Sequence, residues 1–276
     1  GIVQEAVLHI LHGIGANGKS VFTELALHIM GDYGMAAPPK LLIARQHDAH
    51  PTELADLRAM RFVASMESGE GQRFDEERIK KLTGSDTIKG RYMHKDFIEF
   101  QPTHKLFMAT NHRPEISGTD HAIWRRPKLW PFDVIFSEPK DSANPQPGEQ
   151  DRRLLDTLKG EASGVLGRWV RGSLEWQRIG LSPPSAVTAA TADYKVGCDR
   201  LQAFIEERCV AGKGLVSLKV GASELYAAYK AWAENGIEYA LNQKRFGTAM
   251  KERGFTKGEP DMTTRRATYE GISLAQ

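Results

Sequence analysis

The stretch His12 to Phe22, HGIGANGKSVF, constrains the chain more than any other. It sets Gly13, Gly18, Lys19 and Ser20 at the G-x-x-x-x-G-K-S spacing of a phosphate-binding loop. The apolar run AVLHIL before it predicts a strand, and SVFTELALHIM after it predicts a helix. Glycines let a backbone wrap around an anion with its N–H groups inward, and a following helix adds its positive N-terminal end. The candidate nucleotide-binding set is therefore Gly13, Gly15, Asn17, Gly18, Lys19, Ser20 and Val21, with ATP and Mg²⁺ as the expected ligands. Lys19 is placed to reach the β- and γ-phosphates, and the Ser20 hydroxyl to ligate the metal.

The remaining chain has to supply the other parts of such a site. MRFVASMESGEG reads as a strand ending at Glu67, where a Walker B carboxylate would hold Mg²⁺ or act as general base. Only one acid stands there, because Ser65 and Met66 precede it. KLFMATNHRPEI reads as a further strand, Leu106 to Ala109, that delivers Asn111 at its carboxyl end. An amide in that place contacts a γ-phosphate or the attacking water, although Asn before HRP also suits a turn.

Length and composition bound the class. The chain has 276 residues, enough for one large domain and one small, with the 41% hydrophobic content usual for a globular protein. No stretch approaches the ~20 apolar residues of a membrane span. Cys198 and Cys209 give neither a zinc site nor a disulfide framework, so a reducing, cytoplasmic compartment is expected. His9, His28, His47 and His50 lack metal-ligand spacing and read as structural or surface residues. The chain opens a few residues before its first strand, which suggests a piece of a longer protein. A net charge of +2 is nearly neutral, so a nucleic-acid partner must be argued from local charge.

Local charge is uneven. From Arg78 to Lys95 six Lys or Arg face one acid, Asp86. Within this region TIKGRYMHKDFIEFQP, Thr87 to Pro102, predicts two short strands around a tip at His94, Lys95 and Asp96. SEPKDSANPQPGEQ, Ser137 to Gln150, reads as a linker, and LSPPS at Leu181 to Ser185 as a second breaker after a helical stretch beginning at Asp151. Beyond about residue 197 the pattern changes to three helices and a terminal strand pair. One helix would present Leu225, Tyr229 and Trp232 on one face, with Ser223 as N-cap and Gly236 as stop. The next would turn Phe246 and Met250 inward and Lys244, Arg245, Lys251 and Arg253 outward.

GIGANGKS, VASMESGEG, LTGSD with the basic tract after it, FMATNHRPEI and IWRRPKLWPF together resemble the superfamily 3 helicase module of phage- and plasmid-type primase-helicases. The likeness runs into the tail, and Pro127 departs from it where an apolar residue would open a strand. The resemblance implies an α/β, AAA+-like P-loop NTPase core over residues 1–136. Residues 137–196 would be a linker and a helical segment completing the core, and residues 197–276 a small C-terminal winged helix-turn-helix domain. It implies a homo-hexameric ring that hydrolyses ATP at subunit interfaces and draws single-stranded DNA through its pore, in a bacterial cell carrying a phage, plasmid or integrated element. Arg125 or Arg126, the latter preferred on spacing to Phe132, would complete the neighbouring site as a finger. Lys89, Arg91, His94 and Lys95 would grip the phosphate backbone from the hairpin. The tail would hold duplex DNA or a replication protein. A P-loop ATPase that loads or switches other proteins without unwinding is the alternative, and a small-molecule kinase a third reading.

Overall fold

In the computed structural model the described residues are 2–45, 51–66, 69–117, 121–141, 145–212, 215, 217–235, 240–258 and 267–275. The chain divides into two compact units, Gly1–Val196 and Gly197–Gln276.

In the first unit the elements in chain order are β1 (Leu8–His12), α1 (Lys19–Met30), β2 (Gly34–Ala37), α2 (Pro51–Ala55), β3 (Phe62–Met66), α3 (Glu76–Thr83), β4 (Ile88–Arg91), β5 (Phe97–Phe100), β6 (Lys105–Thr110), α4 (His121–Trp124), β7 (Pro127–Pro131), α5 (Leu154–Gly160), α6 (Ala162–Ile179) and α7 (Ser185–Cys198). Five strands form one parallel sheet in the order β2-β3-β6-β1-β7. A parallel sheet is covered on both faces, and its strands read as near-continuous apolar runs for that reason. Leu8, Ile10 and Leu11 of β1 are accordingly sealed from solvent. On one face Ala26 of α1 packs with Phe62 and Ala64, joined by Phe107 and by Trp169 of α6. The Phe107 ring stacks on His9 with centroids 4.5 Å apart and meets Phe62 at 4.7 Å. α7 is tied to β7 by the bond from the Leu129 N–H to the Thr191 hydroxyl, and its Tyr194 donates to the Pro114 carbonyl.

Pro127 opens β7 without breaking the sheet. β7 is an edge strand, and the carbonyl of Arg126 next to it accepts from the Leu8 N–H, so the missing proline donor is not called upon. The stretch expected as a linker departs further from expectation. Ser137 pairs with Glu149 in a parallel bridge, the Ser137 N–H donates to the Gly148 carbonyl at 3.0 Å, and the Gln150 N–H donates to the Ser137 carbonyl at 2.8 Å. Its described residues form an ordered strap, because backbone bonds between positions eleven or more apart satisfy polar groups that composition alone assigns to solvent.

The second unit contains α8 (Arg200–Arg208), β8 (Cys209–Ala211), β9 (Lys219–Gly221), α9 (Ala222–Asn235), α10 (Gln243–Glu252), β10 (Lys257–Gly258), β11 (Thr268–Glu270) and β12 (Ile272–Leu274). β10, β11 and β9 make an antiparallel sheet, and β12 pairs with β8. Its core gathers Phe204, Leu225, Tyr229, Phe246, Met250 and Tyr269, with Trp232 packed at the margin. Two details differ from the sequence reading. Ser223 lies inside the first turn of α9 rather than at its cap, since that helix begins at Ala222. Arg253 is turned back rather than outward: its guanidinium pairs with Asp199 and donates to the Ala249 carbonyl at 3.0 Å. Gly236 lies outside the described residues. Among the described residues no helix is long and apolar enough to cross a membrane.

Candidate functional site

β1 ends at His12, and the chain turns through Gly13 to Gly18 before α1 begins at Lys19. Gly18 caps the helix at φ 85°, a left-handed conformation that a side chain would strain. No side chain caps this end and the first turn holds no acid, an arrangement that favours an anion there. Gly13 answers a different need. A Cβ there would stand 2.3 Å from both the Asn17 side-chain nitrogen and the Phe132 carbonyl oxygen.

Lys19 is 7% exposed, and its ammonium donates to the Gly13 carbonyl at 2.6 Å and to Asn17 Oδ1 at 2.9 Å. Asn17 passes the restraint on, donating through Nδ2 to the Phe132 carbonyl at 3.0 Å. The amide that the sequence reading grouped with the ligand-binding residues thus ties the loop to the end of β7. Burial, then the cations Arg113 and Lys19, lower the pKa of His12 from the usual histidine value.

Above the loop lies a cavity of about 940 Å³ lined by Gly15 to Val21, Met66, Ala109 to Asn111, Phe136, Pro145 to Arg152 and Leu154. That volume suits a nucleoside triphosphate. A Cβ at Gly15 or Gly18 would meet nothing within 4 Å, so the loop backbone faces open space. Residues far apart in sequence thus converge: Asn111 stands at the carboxyl end of β6 facing the same space as Lys19 and Ser20, where open α/β sheets place their ligands. Ser20 is exposed on the first turn of α1 and has a hydroxyl suited to Mg²⁺. Glu67 lies outside the described residues; Met66, which precedes it in sequence, lines the cavity.

The arginine pair sits elsewhere. Arg125 and Arg126 precede β7, and β7 runs parallel to β1, so both lie at the amino ends of the strands, ~20 Å of chain away from the loop at ~3.3 Å per residue. The two differ sharply. Arg126 is buried, donating through Nε to the Thr83 hydroxyl at 2.9 Å and through a second nitrogen to the Ala122 carbonyl. Such a side chain is held by partners in its own chain, whereas the finger expected at Arg126 has to reach outward. Arg125 is exposed.

The expected hairpin is present. β4 and β5 pair antiparallel from Ile88 opposite Phe100 to Arg91 opposite Phe97. The tip turns on the bond from the Lys95 N–H to the Tyr92 carbonyl, with His94 left-handed at φ 58°. Tyr92 anchors the hairpin by donating to the Ala55 carbonyl of α2 at 3.1 Å. Lys89, Arg91, His94 and Lys95 are all exposed, and no hairpin residue lines the cavity. The hairpin is less basic than the wider tract: Lys89 pairs with Glu99 at 3.4 Å, and Asp96 follows Lys95. Lys89 and Arg91 both lie over the Phe97 ring, at 5.2 and 5.0 Å from its centre. Sequence reasoning missed the strap 145–152, whose composition reads as a linker but which lines the cavity.

The first unit is an α/β core with a parallel sheet, consistent with a nucleotide-binding-like core. Residues 11–126 match a family model described as a family of unknown function, DUF5906. The chain is 29% identical to "Putative helicase L207/L206" of Acanthamoeba polyphaga mimivirus over 84% of its own length and 25% of the relative's. It is 24% identical to "Putative primase C962R" of African swine fever virus (strain Badajoz 1971 Vero-adapted), over 85% and 26%. It thus spans about a quarter of the length of these curated relatives. Its fold is similar to the C-terminal region of NrS-1, with a TM-score of 0.55 at 11% identity, covering 98% of this chain and 68% of that one.

Proposed function

We propose that the chain is the ATP-driven motor of a replication protein of the primase-helicase kind. The observation that carries this reading is the convergence of Lys19, Ser20 and Asn111 on one large cavity at the carboxyl end of a parallel sheet. The helicase and primase names of the viral relatives support the same class. In this reading Lys19 leaves the Gly13 and Asn17 oxygens to hold the β- and γ-phosphates, and the N–H groups of the loop take up the remaining anionic charge. Asn111 orients the attacking water, and Glu67 accepts its proton. Ser20 and Glu67 would hold Mg²⁺, which when bound offsets charge on the transferred phosphoryl group. The finger comes from a neighbouring copy in a homo-hexameric ring, and Arg125 takes this role because it is exposed and lies at the end of the sheet opposite its own loop.

Hydrolysis is coupled to single-stranded DNA gripped by Lys89, Arg91, His94 and Lys95 on the hairpin, contacts that bind phosphate without reading bases. The second unit, read as a winged helix, docks duplex DNA or a replication protein. One observation favours the loader reading: Glu99 and Asp96 offset much of the hairpin's positive charge. Unwinding of a forked duplex by the purified chain with ATP decides between them. A motor separates the strands and Lys19→Ala protein does not; a loader hydrolyses ATP and leaves the fork closed.

A further inference from the structure

The cavity is lined by more than the phosphate loop, and part of its lining is a segment that no loop motif accounts for. Its lining includes Val21 beyond Ser20, Leu154 at the start of α5, and Pro145 to Arg152. We propose that this strap is the nucleobase-recognition wall of the site, seating the base of a nucleoside triphosphate against Val21, Phe136, Pro147 and Leu154. The inference rests on the loop binding such a triphosphate.

The chemistry of the wall matches a base. A nucleobase has two apolar faces and a polar edge, and here apolar side chains alternate with amides and charges: Pro145, Pro147 and Leu154 beside Gln146, Gln150 and Arg152. Leu154 keeps 39% of its surface exposed although it stands in a concave site, so a flat apolar ligand has surface to cover. The strap is also held in shape. The Gln150 side-chain amide donates to the Phe136 carbonyl at 3.1 Å, and the Gln146 N–H donates to Glu149 at 2.9 Å. It is joined to the phosphate loop itself, since the Phe136 N–H donates to the Ala16 carbonyl at 2.8 Å. Base wall and phosphate cradle are one hydrogen-bonded unit, which lowers the ordering cost of binding.

Calorimetric titration of the full chain with ATP and with inorganic tripolyphosphate tests this, because the second ligand keeps the charge and lacks the base. ATP should bind at least about tenfold more tightly than tripolyphosphate. Leu154→Ser and Pro147→Ser, neutral changes at exposed positions, should each weaken ATP about three- to tenfold and leave tripolyphosphate unchanged. Lys19→Ala should weaken both ligands. Equal affinity of the parent for both ligands would overturn the proposal, as would strap variants that keep the parental preference for ATP while Lys19→Ala still loses both. In those two outcomes the phosphate loop survives. A parent that binds neither ligand removes the loop reading and the strap with it.

Discussion

The glycine loop and the β4–β5 hairpin are both short connections, yet they are built on opposite principles. The loop directs its working groups inward: Lys19 is buried and fastened to Gly13 and Asn17, and Asn17 is fastened to Phe132. The hairpin is fastened to α2 through Tyr92, where its tip turn begins, and leaves Lys89, Arg91, His94 and Lys95 exposed. The difference follows from what each would bind. A triphosphate rewards a preorganised cradle in which every donor has a fixed place. A moving strand rewards weak, repeated charge interactions that form and break without rebuilding the protein.

The largest effects should fall on the loop side of this contrast. Lys19→Ala should lower ATP turnover by roughly 10³-fold or more, since preorganised charge on a transferred group is worth that order; parental turnover would remove the loop from the chemistry. Arg125→Ala should lose a similar factor while still binding nucleotide. Mixed with Lys19→Ala subunits it should regain part of the turnover, because some interfaces then join an intact loop to an intact finger. Mixtures that exchange subunits without recovery would argue for a site contained in one chain.

Arg126→Ala separates its neighbour's role from its own. It removes a buried donor from Thr83 and Ala122, and should cost about 1–3 kcal/mol of stability measured by denaturant unfolding. Arg125→Ala should leave unfolding unchanged. The sheet beneath the loop carries its own pH signature. His9 is pushed down to about 4, first by burial and then by the Lys105 and Lys128 charges, and it accepts from Trp130 at 3.2 Å. His104 is lowered to about 4, mainly by burial. Both pKa values lie below the unfolded value of ~6.5, so the unfolded chain binds protons first as pH falls. Stability should be full above that value and decline toward pH 4 by on the order of 1.4 kcal/mol per unit for each histidine. Thermal unfolding followed from pH 7 to 4.5 checks this, and His9→Gln should flatten the slope.

The hairpin effect should be the smallest per residue. Lys95→Ala should lower the magnitude of the salt slope for single-strand binding by roughly 0.7 for each phosphate the lysine neutralises. Lys89→Ala should change it less, because Glu99 already screens that lysine at 3.4 Å. Equal effects at the two positions would break the picture of a tip-led grip.

What the sequence made legible was local. β1, the loop and α1 follow from glycine spacing and apolar runs a few residues long, and the hairpin from alternation around a turn. The same holds for the β6 strand that delivers Asn111. The rest depended on distant partners. Nothing near Arg126 announces Thr83, 43 positions away, nor does anything near Arg253 announce Asp199, 54 away. The strap hid for the same reason. Proline, glycine and polar residues suit solvent equally well, until Phe136 finds Ala16 and Ser137 finds Gly148.

The coupling of loop to hairpin is the central claim, and the DNA dependence of ATP hydrolysis reaches it most directly. With single-stranded DNA titrated into the full chain, the parent should hydrolyse faster as DNA is added. Lys95→Ala protein should keep the basal rate and lose the stimulation. Stimulation undiminished in Lys95→Ala, or basal hydrolysis that falls with it, would contradict the account.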